Sequence, residues 1–560
     1  MKKILALCLA LCVSLWAGPE RALTLFHLND THSHLDPTPI QISLSNSGEG
    51  KVWVEAGGYA RIASLLAQLR RDSGDQLFFH AGDFFSGTLY FTEYLGAVDN
   101  ELLPLLKLSG FTFGNHEFDR GPKVLGDFLA RFSNDILPLS ANIDFGAEAA
   151  LARRVKPYGT FKAGKLRIGA FGLTTPSTPN ISSPGPNLAF LAASNAAARA
   201  LAALAKEKPD LILAVSHLGY SEDLALARQF PAIGVILGGH SHTLLGDFRP
   251  LGLRPSGEYP SVVRHEKSVT LVAQAWEWGK VLGALDLWLD GRGRIVRWKA
   301  REALVLGKTL LDSNRAPLPP ERAKAFMDGA RGLPVAFVDE DPAVAKALAR
   351  YRGTLEALSR KVVATASRDL LHIRLPGQTH GSGVVLAKGS VLAPIIATAF
   401  LEKGRALDGR VAAAFVNVGG VRREIPKGDI TAAMVYEVLP FANTMVFLDL
   451  TGDELKRLLE TTVAMEGFTV GSLYHAGLSF SVQKDSPIGS RVKDLCTLTP
   501  SGLRPVAAGD TVRIATFSYL AGGGDRLAIL KNASGERVDT GFIDAEILME
   551  YLAKKKVVGD

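Results

Sequence analysis

Cysteine is nearly missing from this chain. Three occur in 560 residues, and two of them, Cys8 and Cys12, lie in an apolar N-terminal run. Once that run is removed only Cys496 remains, so no intrachain disulfide can form. Stability must come from the core, and the lone thiol reads as buried packing rather than as a nucleophile. After Trp16 no apolar stretch reaches transmembrane length. Blocks of like charge are also missing, and the net charge of +7 is modest for this length. A nucleic-acid binder concentrates its Lys and Arg on one stripe or tail, so that partner is excluded. Internal repeats and low-complexity tracts do not occur.

What is present is the composition of an ordinary globular protein, 47% hydrophobic and 21% charged. A chain of this length exceeds one hydrophobic core, so two or more domains are expected. The start reads differently from the rest. Lys2 and Lys3 precede an apolar run from Ile4 to Trp16, followed by Ala17, Gly18 and Pro19. A basic start, an apolar run too short to span a bilayer and small residues at its end make a Sec-type signal peptide over residues 1–18. A membrane anchor is the competing reading, and a lipoprotein through Cys12 is disfavoured by Leu11 in the place of a small residue. A periplasmic or secreted protein without a stable membrane span is expected.

From Leu23 to about Trp298, β-rich runs alternate with helix-forming segments. The runs are Leu23–Asn29, Gln76–His80, Arg167–Leu173, Leu211–Ser216 and Val235–Gly238; Gly58–Arg71 and the Ala-rich Leu191–Lys206 lie between them. This alternation predicts an α/β sandwich rather than an all-β domain. A Pro-rich stretch at Asp312–Pro320 and a charged helical stretch from Ala343 to Arg360 precede a second, smaller α/β region. The boundaries expected are 21–335 for the first domain, 336–361 for a linker helix and 362–557 for the second domain. Landmarks of the latter are a Gly/Pro/Thr patch at Pro376–Gly383, a helix at Val391–Lys403 and turns at Asn417–Gly420 and Gly522–Asp525.

Histidine is unevenly spread, with nine of 12 before residue 266. Most sit in blocks that follow β-rich runs: Asn29–His34, Gly82 with Asp83, Gly114–Asp119, Ser216–Gly219 and Gly238–His242. Ligands in open α/β sheets bind beyond the carboxyl ends of the strands, so these turns would converge on one crevice. Carboxylates, imidazoles and a carboxamide oxygen suit two divalent cations such as Zn²⁺ or Mn²⁺, with no thiolate offered. Two metals roughly 3.5–4 Å apart offset the negative charge of a phosphate ester and clamp an in-line displacement. Asp83 suits the bridging position, because Gly82 allows close backbone approach. A single strand-end histidine is more often structural, and His27 and His80, inside strand patterns, take that reading. The ordered set of blocks is what carries the inference.

Those blocks in that order resemble the calcineurin-like metallophosphoesterases. NDTHSH and FTFGNHEFD, with NVGGVR further on, are similar to the secreted bacterial 5'-nucleotidase branch over essentially the whole mature chain. The resemblance implies a four-layer α/β sandwich metallophosphoesterase domain plus a second, smaller α/β substrate-specificity domain. It implies that Asp30 and His32 hold a first metal with His242, where relatives carry Gln or Asn. Asp83 would bridge, and Asn115, His217 and His240 would hold the second metal. His116 and Asp119 match the catalytic dyad, Asp119 orienting the imidazole that stabilises phosphoryl charge. The nucleophile implied is metal-activated water, without a covalent intermediate. His34 carries no family role and is assigned to a supporting or surface position.

In the second domain, Asn417 and Arg422 flank a Gly-Gly turn, and Phe441 and Tyr519 lie close to Gly-, Pro- or Asn-marked turns. Core packing is the competing reading for these aromatics. The resemblance implies that Phe441 and Tyr519 hold a nucleobase between them, with Phe the commoner residue at the second position. Asn443 and Asn417 match base contacts, Asp525 a ribose-binding acid and Arg422 a ligand-binding arginine. Arg374 is the candidate for a further family arginine, separated from its usual place by an inserted-looking Pro376–Lys388 segment. The expectation is an exported nucleotide phosphohydrolase of the 5'-nucleotidase kind. Cyclic-nucleotide phosphodiesterase/3'-nucleotidase and UDP-sugar hydrolase activities share the fold. Thiosulfonate-ester hydrolysis fits less well, since its substrates carry no base. A catalytically silent nucleotide-binding surface protein is the alternative of another class.

Overall fold

A computed structural model of the chain describes residues 21–44, 50–132, 135–146, 148–182, 184–373, 379–380, 384–386, 389–439, 441, 443–464, 473–483 and 485–559. The expected signal peptide, Arg374 and most of the 376–388 segment lie outside them. The chain folds as two compact units, the first running to Arg352 and the second starting at Gly353. Their junction falls within the helix Pro342–Ser359.

The first unit is built on two mixed sheets. The larger, ten-stranded sheet includes, in order to one edge, Val281–Leu289, Arg21–Leu28, Gln76–His80, Gly110–Thr112 and Leu137–Leu139, the last four mutually parallel. The second runs Ser261–Arg264, Val269–Ala273, Val235–Gly238, Leu211–His217, Leu166–Thr174 and Tyr158–Ala163, with its middle four strands parallel. The two-residue period of a strand sorts its side chains between two cores. In Leu211–His217, Leu211, Leu213 and Val215 join Leu23, Leu25, Leu77 and Phe79 of the other sheet. Ile212 and Ala214 face the opposite way, against Ala197, Leu204 and Leu226 of the outer helices Ala193–Glu207 and Tyr220–Gln229. Strands buried on both faces read as continuous apolar runs, which is how these segments appear in the sequence. Helix, sheet, sheet and helix form the four layers of an α/β sandwich.

The second unit is centred on a five-stranded mixed sheet ordered Leu473–Ala476, Val411–Asn417, Thr511–Phe517, Thr444–Thr451 and Arg537–Ile543. The helices Leu392–Leu407 and Asp544–Lys555 pack with it in one core. Two small three-stranded sheets complete the unit, one containing Val362–Ala366 and the other Val492–Thr499. Sequence periodicity did not reveal these, because half-exposed short strands carry little apolar signal.

Leu237 is fully buried between the two sheets of the first unit. Leu237→Ala is expected to cost about 2–5 kcal/mol, the range for truncating a packed leucine. Chemical denaturation measures this, and a loss well below that range would show that the inter-sheet core collapses around the deletion.

Candidate metal centre

Every candidate ligand of the first unit sits just past the carboxyl end of a parallel strand. Asp30 and His32 follow Arg21–Leu28, Asp83 follows Gln76–His80, Asn115 and His116 follow Gly110–Thr112, and His240 and His242 follow Val235–Gly238. His217 is the last residue of its strand. Neighbouring parallel strands put these turns side by side. Asp30, His32 and His242 bring ligand atoms within 4.8 Å of one another, as do His32, Asp83 and His116, and Asp83, His217 and His240. All seven expected ligands therefore gather except Asn115, which no such cluster of acids and imidazoles can include. Asn115 is buried beside them, and both atoms of its carboxamide lack a hydrogen-bond partner.

The backbone is bent to achieve this. Asp30, His32, Asp83, His240 and His242 all take positive φ, between 47° and 75°. Non-glycine residues rarely adopt that conformation, and it persists only where surrounding structure over-determines it. Here Glu117 is one such determinant. Its carboxylate accepts hydrogen bonds from the amides of Asp83 (2.8 Å), Phe84 (2.7 Å), Phe85 (3.2 Å) and Gly114 (2.6 Å), joining two of the turns. Gly114 is required at its position, since a Cβ there would run into the Asp83 carboxylate and the His217 ring.

Hydrogen bonds define the imidazole tautomers. Nδ1 of His32 donates to the Phe85 carbonyl (3.0 Å), Nδ1 of His217 to the Ala81 carbonyl (2.6 Å) and Nδ1 of His242 to the Glu277 carboxylate (3.0 Å). In the neutral rings, Nε2 then carries the lone pair. The His217 Nε2 lies 3.0 Å from Asp83 Oδ2, and the His242 Nε2 lies 3.4 Å from Asp30 Oδ1 and 3.1 Å from the His32 Nε2. Lone pairs so arranged repel unless cations lie among them. Protons are the cations available from the protein alone. Burial opposes protonation of His217, but Asp83 and Asp30 push it up to about 9, and Asp30 and Glu277 likewise raise His242. Burial lowers His240 to about 3 and His32 to about 4, which leaves these rings neutral and able to donate electron pairs. The donor set fits divalent metal ions.

His116 is fully buried, and its Nδ1 donates to Asp119 Oδ2 at 2.6 Å. Burial opposes its charge, yet Asp119, Asp83 and Glu117 together push it up to about 10. Asp119 is held from two further directions, by the Ser86 hydroxyl (2.5 Å) and the Ser182 hydroxyl (2.8 Å). His34 is buried rather than on the surface. Its Nδ1 donates to the His32 carbonyl at 3.0 Å, and its ring stacks on Trp278 at 4.4 Å. His27 and His80 are buried in their strands, bonded to the Tyr259 and Thr31 hydroxyls. Sequence reasoning passed over Glu117, Ser86, Ser182 and the Trp276-Glu277-Trp278 segment. Glu117 stood inside a quoted motif, and two of the six tryptophans fall within three residues, which is a signal of its own.

In the second unit, Asn417 ends one strand and Tyr519 follows the neighbouring strand Thr511–Phe517. The structure joins both to Asp525: Asn417 Nδ2 donates to Oδ2 at 2.6 Å and the Tyr519 hydroxyl to Oδ1 at 2.9 Å. The Arg422 guanidinium lies over the Phe441 ring at 5.4 Å. Asn443 is anchored by its backbone and side-chain amides to the buried Asp544, at 3.2 and 3.1 Å. Phe441 and Tyr519 are 50% and 51% exposed, so core packing does not explain either ring.

Comparison with known proteins agrees with this geometry. Residues 23–244 match the model of the calcineurin-like phosphoesterases, and residues 363–532 match that of the 5'-nucleotidase C-terminal domain. A probable 5'-nucleotidase of Treponema pallidum is 32% identical over 95% of this chain and 92% of its own. A trifunctional nucleotide phosphoesterase of Bacillus subtilis is 31% identical over 95% of this chain, which spans only 34% of that longer protein. The crystal structure of a 5'-nucleotidase precursor from Thermus thermophilus is 39% identical, covers 96% of this chain and 97% of its own, and superposes with a TM-score of 0.58. With both of its domains matched and relatives of this identity aligned end to end, the chain belongs to the 5'-nucleotidase family of calcineurin-like phosphoesterases and is a phosphoester hydrolase.

Proposed function

We propose that the protein is an exported 5'-nucleotidase that uses two divalent metal ions to remove phosphate from nucleotides. The observation that carries this reading is the convergence of the Nε2 atoms of His32, His217 and His242 with the buried carboxylates of Asp30 and Asp83. Asp30, His32 and His242 would hold one ion, Asn115, His217 and His240 the other, and Asp83 would touch both. Such ions lower the pKa of water and offset phosphate charge. The chain's own residues do the rest. His116, kept cationic by Asp119, would stabilise the negative charge that builds on the phosphoryl oxygens. Ser86 and Ser182 hold Asp119 so that its Oδ2 stays on the imidazole. Phe441 and Tyr519 would stack on the nucleobase, with Asn417, Asn443, Arg422 and Asp525 as polar contacts and Arg374 as a further candidate. Export rests on the apolar run that follows Lys2 and Lys3. Among the described residues, no helix is long and apolar enough to cross a membrane.

Chelation is expected to abolish phosphate release from AMP, and added Mn²⁺, Zn²⁺ or Co²⁺ to restore it. Full turnover by protein shown to be metal-free by elemental analysis would refute the two-metal reading. Running the same assay over 3'-AMP, cyclic 2',3'-AMP, ATP and UDP-glucose separates this activity from those that share the fold.

His116→Ala should lower kcat by about 10²–10⁴-fold, the usual contribution of a positioned imidazole. Both metals should stay bound, whereas His240→Ala should lose metal. Near-normal kcat in His116→Ala would remove the dyad from the mechanism.

Base stacking on an aromatic ring is worth roughly 1–3 kcal/mol. Phe441→Ala or Tyr519→Ala should therefore weaken AMP binding about five- to hundred-fold. Hydrolysis of p-nitrophenyl phosphate, which has no base, should suffer much less. Equal losses in kcat/KM on the two substrates would point to damaged packing instead.

A further inference from the structure

The segment that follows the strand Val269–Ala273 is built against the first half of the metal centre. Trp276 and Trp278 both adopt positive φ, 58° and 56°, which is a strained conformation for so bulky a residue. The strain is held by hydrogen bonds to the loop that carries Asp30. The Trp278 amide donates to the Asp30 carbonyl at 2.7 Å, and the Asn29 side chain bonds the Trp276 carbonyl and the Ala275 amide, each at 2.7 Å. Between the tryptophans, Glu277 turns inward. Its Oε2 accepts from His242 Nδ1 at 3.0 Å and its Oε1 accepts from Lys280 Nζ at 2.7 Å. Lys280 is itself buried, with its ammonium 3.8 Å from the Trp278 ring centre and 4.6 Å from that of Trp276. Cation–π contacts of this kind gain strength when the cation is desolvated.

We infer that Glu277, locked by Lys280 and the two tryptophans, is a positioning residue that fixes His242 with Nε2 as its donor atom toward the first metal. The inference rests on the two-metal reading. Of the three imidazoles whose Nδ1 is pinned, His32 and His217 are held by backbone carbonyls, which substitution cannot remove. His242 alone of the three is held by a side chain. Without that acceptor the ring can place its proton on Nε2 or turn about its side-chain bonds, and either change withdraws the lone pair from Asp30 and His32. Lys280 serves by holding the other carboxylate oxygen, so that Glu277 meets the imidazole with one oxygen in one orientation. The tryptophans keep water from the ammonium and carry the chain across the gap between Ala275 and Gly279.

The test follows metal release from the loaded protein to a competing chelator, with Mn²⁺ and with Co²⁺ as the ions. Glu277→Ala should weaken one of the two ions by about 10–100-fold, the usual effect of removing such a partner, and leave the other unchanged. Its Co²⁺ absorption spectrum should differ from that of the wild type. Glu277→Gln keeps an oxygen that accepts the Nδ1 proton and should retain most of the affinity and the spectrum. Lys280→Met should fall between them. On a His242→Ala background, Glu277→Ala should add no further loss, since the group it positions is gone. Wild-type affinity for both ions in Glu277→Ala, or losses that simply add in the double variant, would overturn the inference while leaving two metals in place. If Glu277→Ala does not fold, the Lys280→Met affinity decides: loss confined to one ion supports the lock, and unaltered affinity for both would exclude it. A wild type that binds neither ion would instead overturn the two-metal reading itself, and this inference with it.

Discussion

Two buried carboxylates, Asp30 and Asp83, set the problem that the rest of the first unit solves. Both are essentially out of contact with solvent, and each has its pKa held below the usual carboxylate range. Burial alone would raise them, but the imidazoles that face them outweigh it: His242 and His217 beside Asp30, and His217 and His116 beside Asp83. A buried charge of this kind costs several kcal/mol unless it is paired and hydrogen-bonded. The protein supplies the hydrogen bonds through backbone amides, from His240 to Asp30 and from His116 to Asp83. The pairing of charge comes from cations among the imidazoles, whether protons or bound ions, which is why the site is suited to cations.

Keeping such a site open requires rigid walls. Five ligand residues in left-handed backbone would each favour relaxing to ordinary φ, so the turns must be braced from outside. Glu117 braces the Asp83 turn against the Asn115 turn with four amide hydrogen bonds. The Trp276–Trp278 segment braces the Asp30 turn from the other sheet's strand ends. The same design recurs at the dyad, where Ser86 and Ser182 hold Asp119 and Asp119 holds His116. The His116, His32, His217 and His242 rings are thus each held through Nδ1 by a neighbour, an arrangement that positions groups to within fractions of an ångström.

The second unit works with exposure rather than burial. Phe441 and Tyr519 stand half out of the protein, while the polar groups around them are tied down: Asp525 by Asn417 and Tyr519, Asn443 by Asp544. A nucleobase stacked on these rings, as proposed, would remove their π-faces from water. The fixed polar groups beside the rings would then select orientation without losing entropy on binding.

The order of elements and most of the acids and imidazoles that the structure brings together were legible from residue pattern alone. Runs such as Leu211–Ser216 and Val235–Gly238 are buried on both faces, so their apolar signal is continuous and their ends are marked by His and Gly. Asp30, His32, Asp83, His217, His240 and His242 stood out only as members of an ordered set of blocks, since a single strand-end histidine is more often structural. Legibility failed where the signal is not local. Glu117 acts on amides more than thirty residues away, Ser182 reaches Asp119 across 63 positions, and Glu277 meets His242 across 35. Nothing in the immediate sequence around Ser182 distinguishes it from any surface Ser, and the tryptophans on either side of Glu277 mark the segment without showing that its carboxylate meets His242. The half-exposed strands around Val492–Thr499 were missed for the related reason that alternation weakens when one face is only partly covered. Local pattern determined which residues are strands, which are turns and which turns carry donors. Only the tertiary structure decided which proton each imidazole keeps, because a tautomer depends on the acceptor that long-range packing brings to its Nδ1.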